Sequence, residues 1–64
     1  MTTTNRVQRV IETGMRMVDR SGFQMAEWRA SDLARGYPAG SERRQFWFEV
    51  AQAIADTRAD LEGR

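Results

Sequence analysis

The chain has 64 residues, a net charge of +1 and neither cysteine nor histidine, so it makes one domain without disulfide staples or the usual zinc ligands. A domain of about 60 residues buries only about 60% of the surface its unfolded chain exposes, and unstapled scaffolds of this size often lean on oligomerisation or on a partner. Acid–base and nucleophilic catalysis draw mainly on histidine, cysteine, lysine or an activated hydroxyl. All ten basic residues are arginine, so Ser21, Ser31 and Ser41 have no ordinary base, and the composition argues against an enzyme.

At the N-terminus, residues 1–4 are expected to fray. Asn5 followed by Gln8 is a variant of the capping box, which predicts a first helix starting there. Val7, Val10, Ile11, Gly14, Met17 and Val18 recur at helical spacing and form its expected buried stripe. Gly14 within that stripe costs about 1 kcal/mol relative to alanine, and its expected use is to admit a neighbouring helix. On the other side, Arg6, Arg9, Arg16 and Arg20 fall within about 80° of one another. Such a ridge suits phosphates or an acidic protein surface, although a solvated face with local ion pairs is the plainer reading.

Ser21-Gly22 breaks the pattern in one of two ways. Gly22 closes the first helix in the left-handed conformation, or Ser21 caps the second with Gln24 reaching back. The second helix is predicted from about Phe23 to Arg35, with Phe23, Ala26, Ala30, Leu33, Ala34 and then Tyr37 on its inner face. Met25 and Trp28 lie off that line beside Asp32 and Arg35. An exposed tryptophan beside a methionine is a binding anchor, because tryptophan is enriched at interface hot spots. Against this stands the plainer reading that Trp28 covers the first helix.

Gly36 and Pro38 stop the second helix. Residues 36–40 make a short interhelical loop that leads to Ser41, a good N-cap, with Glu42 favoured in the first turn by the helix dipole. The loop lacks a preceding strand and the Walker lysine, so it is no nucleotide fingerprint. Tried as a helix-turn-helix, the segment would put Arg43, Arg44 and Gln45 at the tip of a recognition helix. The loop is long for that motif, and Phe46-Trp47-Phe48 would crowd a groove.

A third helix is predicted over residues 41–61. Trp47, Val50, Ile54 and Leu61 form its main ridge, and Glu49, Gln52, Asp56 and Asp60 a narrow polar stripe. Phe48, Ala51, Ala55 and Ala59 form a second seam of mostly small residues. Three consecutive aromatics span about 200° of the helix circumference, so this helix needs neighbours on two sides. Residues 62–64 are expected to fray.

The expected fold is all-α: a small three-helix bundle over residues 1–64, two shorter helices packed on a long C-terminal one, and completed in one reading by self-association. No segment approaches about 18 apolar residues, and the N-terminus lacks the apolar stretch of a secretory signal. A cytoplasmic protein without membrane contact is therefore expected. The functional expectation is a non-catalytic interaction module: an inhibitor, adaptor or accessory subunit that docks on a larger protein or on a second copy. Its anchors would be Met25, Trp28, Phe48, Ala51 and Ala55, with no metal, cofactor or small-molecule substrate. The alternative is nucleic-acid or acidic-partner binding through Arg6, Arg9, Arg16, Arg20, Arg43 and Arg44.

Overall fold

A computed structural model describes the backbone of residues 2–63 and the side chains of residues 5–63. Three helices follow in order: α1 over Thr2–Ser21, α2 over Phe23–Arg35 and α3 over Glu42–Glu62. No strand occurs among the described residues, and α3 packs on both α1 and α2. The all-α, three-helix arrangement expected from the sequence is the one present.

The helix ends show how the chain is punctuated. α1 begins at Thr2, three residues before the expected start at Asn5, so the backbone of residues 2–4 is helical rather than frayed. Met1 and Arg64 lie outside the described residues, and Glu62, also expected to fray, is the last residue of α3. α3 opens as the sequence predicts: the Arg44 N–H donates to Ser41 Oγ at 3.2 Å, and Glu42 occupies the first turn. It closes at Glu62, where the Gly63 N–H donates to the Ala59 carbonyl at 2.9 Å.

The α1–α2 junction follows neither sequence reading in full. Gly22 has φ 85° and ψ 166°, a region essentially confined to glycine and distinct from the left-handed helical one. Its N–H donates to the Val18 carbonyl at 2.7 Å, and its own carbonyl accepts from the Ala26 N–H at 3.0 Å. Both helical ladders therefore end on one residue. Ser21 is the last residue of α1 and not a cap for α2.

The core collects around α3. Val50 and Ile54 are its largest fully buried side chains, joined by Val10, Ala26, Ala30 and Ala51, with Met17, Val18, Phe23, Phe46, Trp47 and Ala53 packed around them. Ala26, Ala30 and Ala34 form the buried line of α2. Because alanine lets backbones approach closely, that line of contact is narrow. Leu33, about 60° around the helix from Ala30, falls outside it and is 38% exposed, not buried as expected.

Two further expectations fail for related reasons. Val7 and Ile11 are exposed, although both belong to the apolar stripe of α1. The α1–α2 interface is the smallest of the three: Met17 and Val18, near the Gly22 bend, are covered, whereas Val7 and Ile11, further from the bend, are not. Leu61 is likewise exposed, because the ridge that begins at Trp47 outruns its neighbours one turn before the helix ends.

Gly14 performs the expected task. A Cβ on it would stand 3.1 Å from Ile54 Cγ1 and 3.6 Å from the Val50 carbonyl oxygen. Alanine at this position gains about 1 kcal/mol of helix propensity. It also presses on a branched, fully buried side chain, and overpacking of that kind costs about 1–3 kcal/mol. Gly14→Ala is therefore expected to lower unfolding stability by about 1 kcal/mol, and Ile54→Ala by about 3 kcal/mol through the cavity it leaves. Urea denaturation followed by circular dichroism measures both. A Gly14→Ala variant more stable than the parent would show that the α1–α3 approach is loose.

Candidate functional site

Three surfaces bear on function, and each grows from a different helix. On α2, the alanine line turns one side of the helix inward. Trp28, about 160° from Ala30, consequently points to solvent and is 64% exposed, with Met25 at 52%. The two lie one turn apart, with exposed Asp32 and Arg35 nearby. Trp28 does not cover α1, so the plainer of its two sequence readings does not hold.

On α3, the expected Phe48–Ala51–Ala55 seam divides. Ala51 is 8% exposed and belongs to the core, so it offers nothing to a partner. Ala55 is half-buried. Phe48 remains 40% exposed, and the Arg44 guanidinium lies over its ring, 5.3 Å from the centroid. The ridge that the seam was meant to extend is thus interrupted by the helix's own packing. Ala51 sits about 60° from Ile54 on the helical circle, close enough to share its burial.

The arginines are not equivalent either. Arg6 Nε donates to Glu49 Oε1 at 3.2 Å, tying α1 to α3. Glu49 Oε2 in turn accepts from Gln45 Nε2 at 3.0 Å. Arg44 is half-buried and donates to the Tyr37 carbonyl at 3.2 Å, so it is a structural strut between the loop and Phe48. Arg43 lies over the Tyr37 ring at 5.9 Å. Arg9, Arg16 and Arg20 are exposed, and no ion pair is formed by them among the described residues. The ridge expected on α1 is real as a surface, but its first member is already engaged.

Those same residues shape the surface near the start of α3. Asn5, Arg6, Arg9, Glu42, Arg43 and Phe46 line an open cleft of about 560 Å³. Phe46 is half-buried and meets Trp47 edge-on, with centroids 5.3 Å apart and planes at 84°. The sequence places Arg6 and Arg9 on one helix and Arg43 on another; only the packing of α1 on α3 brings them together.

Among the described residues, no group of three or more acidic, histidine or cysteine side chains is placed to hold a metal ion, and no helix is long and apolar enough to cross a membrane. Buried polar side-chain atoms without a hydrogen-bond partner, which mark many reactive sites, are also lacking among those residues. Comparison with known protein families, curated proteins and solved structures finds no match to this chain. The exposed residues that sequence patterning missed are Val7, Ile11, Leu33 and Leu61. Their periodicity marks them as inward-facing, so no sequence signal distinguishes them from the core.

The Glu49 carboxyl is held below its ordinary pKa of 4.5, chiefly by the Gln45 amide; burial opposes the shift, and the hydrogen bond and charge of Arg6 reinforce it. A lowered folded-state pKa contributes stability that is present above pH 4.5 and lost as pH falls through the lowered value. The Arg6 and Glu49 side chains are 44% and 36% exposed, so the contribution is well under about 1 kcal/mol. Glu49→Gln should therefore lose less stability than the parent on acidification below pH 4.5, as read from urea midpoints across that range. Equal acid sensitivity in the two proteins would remove the Arg6–Glu49–Gln45 link from the account.

Proposed function

We propose that the protein is a small non-catalytic interaction module, an inhibitor, adaptor or accessory subunit, that docks the outer face of α2 on a larger protein. The observation that carries this reading is the exposure of Trp28, at 64%, beside Met25. A solvent-facing tryptophan contributes little to a fold whose core is built from alanine, valine and isoleucine. At an interface the same ring supplies a large, rigid apolar contact. Phe48 contributes a second exposed aromatic, stiffened by Arg44. Ala51 is withdrawn from the docking surface because it is a core residue.

The scarcity of chemically versatile side chains fits the same reading, as does the small size, which leaves a thin stability margin that a bound partner raises by mass action. Docking on a second copy is a narrower version, supported by the exposed Val7, Ile11 and Leu61. Nucleic-acid binding draws less support, since Arg6 is paired and Arg44 is a strut. Only Arg9, Arg16, Arg20 and Arg43 of the expected set remain at the surface without a carboxylate partner among the described residues.

The test is affinity capture from lysate of the native host with the parent protein and with Trp28→Ala, followed by mass spectrometry. A partner retained by the parent should be lost with Trp28→Ala, and its affinity for purified protein should fall by about 2 kcal/mol, roughly 30-fold. The thermal midpoint of the free Trp28→Ala variant should match the parent's within error. A partner held equally by both proteins sinks the α2 surface, and nucleic acid recovered in place of protein, with steep salt dependence, sinks the reading as a whole.

A further inference from the structure

The cleft between the N-terminal parts of α1 and α3 has a chemistry of its own. Its walls carry Arg6 and Arg9 from α1, Arg43, Glu42 and Phe46 from α3, and the Asn5 amide. We propose that it receives a short acidic peptide segment of a partner protein, with carboxylates on Arg9 and Arg43 and an apolar side chain against Phe46.

The division of labour among the three arginines points to this occupant. Arg6 is tied to Glu49 through its Nε and forms part of the wall. Arg9 is exposed and makes no ion pair among the described residues. Arg43 lies over the Tyr37 ring, 5.9 Å from its centroid, and makes no ion pair among the described residues, so its N–H groups are available for a forked contact with a carboxylate. Phe46, braced by Trp47, is a rigid apolar surface beside them. The volume, about 560 Å³, falls within the about 300–1,000 Å³ of ordinary ligand pockets.

Hydrogen-bonding capacity decides against a nucleic-acid strand. Glu42 lines the cleft and Glu49 stands beside Arg6, so the site offers carboxylate acceptors as well as guanidinium donors. A phosphodiester chain brings no backbone donor for those acceptors. An extended peptide brings an N–H at nearly every residue, for which the Glu42 carboxylate and the Asn5 side-chain oxygen are acceptors. The site involves neither Trp28 nor Met25, so it stands independently of the α2 surface.

Fluorescence anisotropy of the full chain tests this with three labelled probes. The first is a peptide in which two Asp-Glu pairs flank a leucine, the second is the same peptide with Asn-Gln pairs, and the third is a deoxythymidine decamer. The acidic peptide should bind saturably and the amide peptide should not. Arg9→Gln and Arg43→Gln should each weaken the acidic peptide about tenfold, as loss of one charge-assisted contact does, with unchanged circular dichroism. Trp28→Ala should bind it like the parent, which separates failure here from failure of the α2 surface. Absence of saturable binding, equal binding of the amide peptide, or full affinity in both arginine variants would overturn the proposal. So would tighter binding of the decamer than of the acidic peptide.

Discussion

Val50 and Ile54 lose all contact with water, and the molecule is arranged so that small residues come to them. α1 presents Gly14 to Ile54 at a distance that leaves no room for a methyl group without adjustment, and α2 contributes Ala26 and Ala30 to the same cluster. A chain of this length cannot fill a wide interior with large side chains. It gains density instead by bringing backbones close, because dispersion contacts decay steeply with even a small gap. The cost is tolerance: the residues nearest the contact can neither grow nor shrink without loss.

Close approach also explains which surfaces are left over. Helices that meet along a line of alanine or glycine cover only a narrow arc of one another, and apolar residues just outside that arc stay wet. Leu33 on α2 is such a residue. Trp28 is a different case, since it lies nearly opposite the contact line and no adjustment of the packing would reach it.

The sequence made the number of helices, their ends within a few residues, the Ser41 cap and the role of Gly14 legible, because these depend on local chemistry and spacing. The arcs of burial were less legible. Amphipathic patterning is stronger in α1 than in α3, yet α3 holds the two largest buried side chains. Patterning reports how apolar residues are distributed around one helix, whereas burial depends on where the neighbours lie. A central helix flanked on two sides needs apolar residues all round, so its pattern is weak for the same reason that its burial is high. The cleft at Arg9 and Arg43 was beyond reach for a related reason, since it arises only when residues more than thirty positions apart are packed together.

Arginine without lysine has a structural consequence that composition alone conceals. Arg44 bridges a backbone carbonyl and an aromatic face at once, and the Arg43 guanidinium lies over the Tyr37 ring; a planar, delocalised cation is suited to both tasks, and an ammonium is a poor substitute. Arg6 ties two helices through Glu49. The positive charge of this protein is therefore partly architectural, and a simple count overstates what remains for a ligand. A partner at Arg6, Arg44 or Ala51 would compete with the fold. A partner at the proposed positions Trp28 and Arg9, both exposed, would not, and such positions can change without first undoing the core.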